Sequence, residues 1–283
     1  MIIDAHNHPD WHGHNFDRFI ANMNKFNIDK TWLLPRECPD NEVHVECLKS
    51  YTPGVPGTGQ LPFSRCLSYA ERAPGKFILG FSPDPRKLES LGQLEAAVDI
   101  YDVKICGEIK LRMMYDNIDA IRIYEFCAKY KLPVVLHLEN PYLVNAKEYW
   151  FGGGMEVLER ILKKCPDTIF LGHGPGFWSY LSGDNKQGEL YPEGDIMPGG
   201  LVPDFLRKYP NLYCDMSANS CKIALSRDKK FTQEFCDEFQ DRILYARDCF
   251  HNEHQELIEN LNLSPTIKSK IYSSNALKLI ANN

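Results

Sequence analysis

The 283-residue chain has no long apolar run, because polar or charged residues interrupt every hydrophobic stretch well before membrane-spanning length. It also has no basic, apolar leader, since Asp4 interrupts the short apolar start of the chain. Positive charge is not in excess: the net charge is −6, which disfavours nucleic acid or an anionic membrane as a partner. These absences predict a cytoplasmic protein whose partner is a small-molecule substrate.

The chain contains ten cysteines, but none of them form a Cys-x-x-Cys pair or show zinc-ribbon spacing. Several, such as Cys106, Cys127 and Cys214, lie in apolar segments. This pattern is typical of buried, reduced thiols and does not favour a disulfide scaffold.

Short β-branched or aliphatic runs alternate with segments of helical periodicity along the chain. The strand candidates are residues 2–5, 31–34, 77–81, 105–111, 134–137, 169–172, 212–215 and 243–245. The helical patterns cover residues 16–26, 119–130, 155–164 and 203–209. This alternation favours parallel strands joined by helical crossovers. Eight such units predict an α/β protein with a single (β/α)8 TIM-barrel domain over residues 1–283, and an open doubly wound sheet is the competing architecture.

Three segments rich in glycine or proline are predicted to be long loops, at residues 52–62, 151–154 and 174–200. Loops that follow barrel strands lie on the catalytic face. We expect residues 174–200 to contribute to a functional site because they begin beside His173. Residues 52–62 are equally consistent with a surface insertion.

Polar side chains fall at the ends of the predicted strands. His6 and His8 end the first strand, and the side-chain period of two places both imidazoles on one face. His137 ends the fifth strand, His173 the sixth, and Asp248 follows the eighth. The carboxyl ends of parallel barrel strands lie on one face, so these groups can converge there. Imidazole and carboxylate together are ligands for a divalent metal.

These motifs and their order resemble the amidohydrolase superfamily, and within it the amidohydrolase-2 group, which includes aminocarboxymuconate semialdehyde decarboxylase. The matching segments are residues 3–8, 132–137, 170–174, 243–248 and 271–279. The resemblance implies a TIM-barrel, metal-dependent enzyme that holds one or two divalent ions, most often zinc.

The resemblance also implies roles for individual residues. His6, His8, His137 and Asp248 would bind the metal, and Asp248 would also take a proton from the attacking water. His173 would be a further ligand or an acid–base group. The implied reaction is hydrolysis of an amide, lactone or ester carbonyl, since a bound divalent metal makes water acidic enough to react near neutral pH.

Glu108 and Lys110 lie on one face of the fourth predicted strand. Many amidohydrolase-2 members are similar at the lysine but lack the glutamate. In TatD-like and phosphotriesterase-like branches, this strand supplies a glutamate or a carboxylated lysine that bridges two metals. Glu108 is therefore a candidate ligand of a two-metal site, and the alternative is a contact between Glu108 and Lys110 within the barrel wall.

Cations and aromatic residues near the strand ends are weaker candidates. Arg36 and Arg112, together with Lys110, could bind a substrate carboxylate, because a guanidinium forms paired hydrogen bonds with a planar anion. His12 and His14 either line the entrance or are solvated loop residues, whereas His251 and His254 are predicted to lie on the surface. The aromatic residues Trp11, Phe177 and Trp178 form either a pocket wall or packing beneath the loops.

Three other functions are consistent with the sequence. The first is non-oxidative decarboxylation of an unsaturated or aromatic acid. The second is phosphoester hydrolysis at a two-metal site, and the third is a barrel that binds a ligand without catalysis. The ligand types accept zinc, manganese, iron or nickel, so they leave the metal open. A homodimer is expected only by analogy with the group.

Overall fold

The computed structural model describes residues 1–39, 42, 61–139, 151–185 and 189–281. Within these ranges eight parallel strands form one sheet whose spatial order follows the chain order. The strands are β1 (Ile3–Asn7), β2 (Lys30–Leu33), β3 (Phe77–Phe81), β4 (Ile105–Ile109), β5 (Val134–His137), β6 (Phe170–His173), β7 (Leu212–Asp215) and β8 (Ile243–Leu244). The predicted (β/α)8 barrel is confirmed, and the open doubly wound sheet is excluded because that architecture does not keep its strands in chain order.

Helices alternate with the strands and cover the outside of the barrel. They are α1 (Phe16–Lys25), α2 (Phe63–Arg72), α3 (Ser90–Tyr101), α4 (Ile118–Tyr130), α5 (Met155–Lys164), α6 (Pro175–Trp178), α7 (Leu201–Lys208), α8 (Ala218–Ser226), α9 (Lys229–Glu238), α10 (Glu253–Glu259), α11 (Pro265–Ser269) and α12 (Asn275–Ile280). No helix in the described ranges is long and apolar enough to span a bilayer.

Alternating side chains of each strand divide the core into two layers. The inward set fills the barrel interior and comprises Ile3, Ala5, Trp32, Leu34, Ile105, Val135, Leu171, Tyr213, Leu244 and Ala246. The outward set packs against the helices. For example, α1 buries Phe19 and Met23 one turn apart, and Asn15 caps its first turn by accepting a hydrogen bond from the backbone N–H of Arg18 at 3.1 Å.

This two-residue alternation determines which strand ends face the barrel interior. On β5 to β7 and in the segment after β8, an interior residue lies two positions before each site residue. The site residues therefore lie on the same side as the core; they are His137, His173, Asp215 and Asp248. On β1 and β4 the pairing register shifts, between Asp4 and Asn7 and between Cys106 and Ile109. Such irregularities re-aim side chains. They occur on the two strands whose site residues, His6 and Glu108, are out of phase with Ile3 and Ile105.

A glycine permits close packing at the end of β6. A side-chain carbon at Gly172 would overlap the ring of Phe177, so the glycine lets this buried ring lie directly on the strand. The predicted long loop at 174–200 is therefore partly wrong, because it begins with α6 and a 3-10 turn at Ser179–Leu181. Most of the predicted loop at 52–62 lies outside the described residues.

A buried ion pair joins the two ends of the barrel wall. The Nε of Arg247 donates to Oδ2 of Asp4 at 2.8 Å, and the Arg247 backbone N–H donates to Oδ1 of Asp4 at 2.9 Å. Both side chains are fully buried. The backbone N–H of Ala5 also donates to the carbonyl of Tyr245 at 3.0 Å. The segment after β8 is therefore held beside β1, which closes the barrel.

We expect Asp4→Ala to lower the free energy of unfolding by about 3–5 kcal/mol, because it leaves the buried Arg247 guanidinium without its counter-charge. Urea denaturation followed by circular dichroism measures this change. Asp17→Ala is the matched control: Asp17 pairs with Arg72 at 3.2 Å on the surface, so its loss costs less than about 1 kcal/mol. Equal destabilisation by the two substitutions would contradict the assigned importance of the buried pair.

Candidate metal centre

The histidines and carboxylates that end the barrel strands come together at one place in the structure. The Nε2 of His8 lies 3.4 Å from Oδ1 of Asp248 and 3.4 Å from Oε2 of Glu108. The Nε2 of His173 lies 3.6 Å from Oε1 of Glu108 and 3.9 Å from Oδ2 of Asp248. The ring of His6 lies 4.4 Å from that of His173, centroid to centroid.

Within the described residues, three groups have potential ligand atoms that all lie within 4.8 Å of one another. The groups are His6–His8–Asp248, His6–His173–Asp215, and Glu108–His137–His173. They share members, so they form one continuous cluster at the carboxyl ends of the strands. Every sequence-predicted metal-ligand residue belongs to it.

Asp215, at the end of β7, orients two of the imidazoles. Its Oδ2 lies 2.9 Å from Nδ1 of His6, and its Oδ1 lies 3.0 Å from Nδ1 of His173. A carboxylate only accepts hydrogen bonds, so the Nδ1 of each ring donates to Asp215 and Nε2 is the nitrogen left for a metal. Ser217 supports the arrangement, since its hydroxyl donates to Asp215 and lies 2.7 Å from Nδ1 of His173.

The backbone fixes His8 in the same sense. Its Nδ1 donates to the carbonyl of Leu34 at 2.8 Å, which leaves Nε2 with a lone pair. The Nε2 atoms of His6 and His173 and the Oδ1 of Asp248 are buried and have no hydrogen-bond partner among the described residues. Buried polar atoms without partners are costly. A divalent cation fits the cluster because it would be bound by these atoms.

Backbone contacts on two sides position Asp248. Its φ angle is +50°, its N–H donates to the carbonyl of His6 at 2.8 Å, and its carbonyl accepts from Nε1 of Trp11 at 3.0 Å. The side chain remains 15% exposed, whereas His6, His8, His173 and Glu108 are at most 3% exposed. Asp248 is thus the member of this group that solvent or a substrate reaches.

Burial and neighbouring charges have opposite effects on the pKa values of the acidic residues in the cluster. Burial raises the pKa of Asp215, but the two histidines beside it outweigh burial and hold that pKa well below its ordinary value. Burial likewise raises the pKa of Glu108, and His137 and His8 outweigh it, so the pKa of Glu108 also lies well below its ordinary value. Both side chains are carboxylates at neutral pH.

The pKa values of the two imidazoles beside Asp215 shift in opposite directions. Burial lowers the pKa of His6, but the Asp215 carboxylate more than offsets it and raises that pKa to about 9. Burial dominates at His173, and its pKa lies below the ordinary value.

His137 differs from the other histidines of the cluster. Its Nδ1 lies 2.7 Å from Oε1 of Glu108, and its Nε2 lies 2.9 Å from Oε1 of Glu139. Both ring nitrogens therefore face carboxylates in this structure. Its assignment as a metal ligand stays a prediction.

Each of the three candidate substrate-binding cations is separated from the cluster by one intervening side chain. The guanidinium of Arg36 lies 5.8 Å from the ring of Trp11. The ammonium of Lys110 lies 3.9 Å from Glu139 and 5.3 Å from the ring of Phe151, and the guanidinium of Arg112 lies 5.9 Å from the same ring.

Burial separates the remaining candidates. Phe177 and Trp178 are fully buried, which favours packing over a pocket wall. His251 is exposed, as predicted. The prediction that His254 lies on the surface is wrong: it is buried, and its Nε2 bonds to the carbonyl of Ala218 at 2.9 Å. Because its neighbours in the sequence are charged, the pattern did not indicate that one face of the short helix α10 points inward.

Sequence reasoning missed Asp215, Ser217 and Glu139. Asp215 ends the seventh predicted strand, so the rule that selected His137 and His173 could also have selected it. Glu139 lies two residues beyond His137, where strand alternation places it on the same side. No comparable sequence signal indicates Ser217.

With this geometry established, comparison with known proteins gives a consistent result. The profile of the amidohydrolase family, Amidohydro_2, matches residues 3–281, so the chain belongs to the amidohydrolase family. No curated protein matches the chain.

Solved structures with the same fold cover almost the whole chain. An uncharacterised TIM-barrel protein from Bordetella bronchiseptica is 17% identical, with a TM-score of 0.68 over 99% of this chain and 98% of its own. A 4-oxalomesaconate hydratase from Rhodopseudomonas palustris is 16% identical, with a TM-score of 0.62 over 100% and 96%. A dihydroxybenzoic acid decarboxylase from a Polaromonas species, with bound manganese and the inhibitor 2-nitroresorcinol, is 17% identical, with a TM-score of 0.57 over 94% and 85%. At these identities the likeness establishes the shared fold.

We expect Asp215→Asn to weaken binding of a divalent metal by about ten- to a hundredfold, because the variant loses the charge that orients two imidazoles. Competition against a chromophoric chelator measures the affinity. Asp204→Asn is the control, since Asp204 is half-exposed and pairs with Arg207 on α7, away from the cluster. Equal affinity in both variants would show that Asp215 does not support the centre.

Proposed function

We propose that this chain is a metal-dependent hydrolase that directs water at the carbonyl carbon of a small-molecule amide, lactone or ester. One observation carries the proposal: buried atoms of His6, His173 and Asp248 that have no hydrogen-bond partner among the described residues meet in the cluster that also contains Nε2 of His8. Such an arrangement is costly to maintain unless a cation and a reacting molecule use it.

In this proposal His6, His8, His173 and Asp248 hold the metal, and Glu108 lies beside them. When bound, a divalent metal supplies Lewis-acid polarisation of the carbonyl and makes water more acidic. Imidazole and carboxylate ligands accept zinc or manganese. His173 acts as a ligand because its Nδ1 donates to Asp215, which leaves only an acceptor at Nε2 and no proton for an oxyanion.

Asp248 is the acid–base group of the proposed reaction. Its Oδ1 has no hydrogen-bond partner among the described residues, and it is the partly exposed member of the ligand group. A carboxylate in this position takes a proton from the attacking water and passes it to the leaving group. The backbone contacts of Asp248 to His6 and Trp11 keep the carboxylate aimed at the cluster.

Decarboxylation of an unsaturated or aromatic acid is the second candidate. It is favoured by the three cations Arg36, Lys110 and Arg112, which lie beside aromatic rings next to the cluster and suit a flat carboxylate. It is also the activity named for the Polaromonas structure. Hydrolysis consumes water, whereas decarboxylation releases CO2, so the two reactions are separable by their products.

We expect the metal-loaded protein to incorporate 18O from labelled water into the acid product of an amide, lactone or ester panel, without release of CO2. Asp248→Asn should reduce this rate by about a hundredfold or more, because the proton acceptor is lost. Asp241→Asn, on an exposed carboxylate, is the control. Mass spectrometry of the product follows the label. Release of CO2 from aromatic acids without label incorporation would instead support the decarboxylase.

Phosphoester hydrolysis at two metals requires Glu108 to bridge the ions. Its Oε1 already accepts from His137 at 2.7 Å, so we expect close to one ion per chain in protein purified without chelator. We also expect Glu108→Gln to retain that ion. Elemental analysis measures both. Two ions per chain, reduced to one by Glu108→Gln, would establish the bridge and overturn this expectation.

A further inference from the structure

A cavity separate from the metal cluster lies at the same end of the barrel. It has a volume of about 430 Å³ and is bounded by α1 and by the segment after β8. Its described walls consist of three histidines, one lysine, two asparagines and two phenylalanines. The indole of Trp11 separates it from the cluster, because that ring contacts His12 at 4.6 Å and His8 at 5.4 Å, centroid to centroid.

The described lining of this cavity has no carboxylate, although the chain as a whole carries a net charge of −6. Lys25, His12, His14 and His251 can all become cationic there, and the two asparagine amides add neutral N–H donors. The cavity is therefore rich in hydrogen-bond donors and in potential positive charge.

The buried Asp4–Arg247 ion pair lies behind one wall. The Nη1 of Arg247 donates to Oδ1 of Asn22 at 2.8 Å, and Asn22 in turn donates to the carbonyl of Phe250 at 2.9 Å. These bonds orient the Asn22 amide with its nitrogen side away from Arg247. The Nη2 of Arg247 is buried and has no partner among the described residues.

One wall is a flat pair of stacked rings. The imidazole of His14 lies on the ring of Phe250, with centroids 3.7 Å apart and planes 9° from parallel. The Nδ1 of His14 bonds to the carbonyl of His12 at 3.0 Å, which fixes the ring orientation. A planar apolar group packs well against such a surface.

The lining favours an anion over a metal ion, because its described residues offer the Lys25 ammonium and no carboxylate. Burial lowers the pKa of His14; the hydrogen bond to the His12 carbonyl opposes this, and Arg18, Arg247 and His251 add to the lowering. Burial also lowers the pKa of His12, where the Asp248 carboxylate opposes the effect and His8, His251 and His14 add to it. A bound anion would favour the protonated imidazoles, so anion binding and proton uptake would be coupled.

We propose that this cavity binds the oxyanion group of a small organic acid, with Lys25 as the charged donor, the protonated imidazoles of His251 and of His14 (through Nε2) as further donors, and the His14–Phe250 ring pair as the surface for its apolar part. The site is independent of the proposed hydrolysis, since Trp11 separates it from the metal cluster. Carboxylates, sulfonates and phosphate monoesters all carry the oxyanion group that this site would recognise.

Nuclear magnetic resonance titration of the zinc-loaded, full-length protein tests the proposal with sulfate and benzenesulfonate as probes. Neither probe changes its own charge near neutral pH. Both should shift the imidazole resonances of His12, His14 and His251 and leave that of the buried His254 unmoved. Benzenesulfonate should bind more tightly than sulfate because its ring packs on the stacked pair, and both should bind more tightly at pH 6 than at pH 8.

Two lysines provide a matched pair of variants. Lys25→Gln should weaken anion binding by about tenfold, because it removes a charged hydrogen-bond donor. Lys76→Gln should leave binding unchanged, since Lys76 lines a separate cavity of about 400 Å³ whose wall includes the carboxylate of Asp29.

The alternative outcomes are decisive. The proposal is wrong if neither anion shifts the three resonances, or if the two lysine variants bind equally well. It is also wrong if excess zinc shifts these resonances and the anions do not, because the cavity would then be a cation site. If sulfate binds as tightly as benzenesulfonate, the ring adds nothing to binding, and the proposal that the ligand is an organic acid is wrong.

Discussion

Asp215 forms hydrogen bonds with both His6 and His173, and the proposed centre depends on this one buried carboxylate. It orients two rings at once, so both direct Nε2 into the cluster. The negative charge that makes this possible is retained under complete burial only because the two imidazoles and the Ser217 hydroxyl bond to it. Ligand geometry and local charge are thus properties of a single hydrogen-bonded unit shared by β1, β6 and β7.

The barrel supplies the rigidity that this unit needs. The interior layer of apolar side chains below the cluster is continuous, and the Asp4–Arg247 pair holds the segment after β8 against β1. Arg247 precedes Asp248 directly, so the residue that closes the barrel also positions the exposed carboxylate. Local stability and site geometry are consequently linked at this seam, and a substitution at Asp4 is expected to affect both.

Periodicity was sufficient to predict the eight strands, their parallel order and the convergence of polar residues at their carboxyl ends. It also placed His137 and His173 correctly, since β5 and β6 keep their two-residue alternation up to the site, and Asp248 follows β8 as predicted. The inward orientation of His6 and Glu108 could not be derived in this way. It follows register shifts in β1 and β4, which arise from pairing with neighbouring strands and leave no local pattern. The pairing of Asp215 with His6 and His173 depends on side-chain packing between distant segments, so one sequence can indicate its place at a strand end but not these contacts.

The seam between β1 and the segment after β8 has a consequence for how metal binding relates to folding. His6 and His8 precede Asp248 by about 240 residues along the chain. The proposed ligand set is therefore complete only when the barrel has closed and has brought these distant segments together. A metal bound to the full set would add its binding free energy to the closed fold, so binding and closure would be coupled.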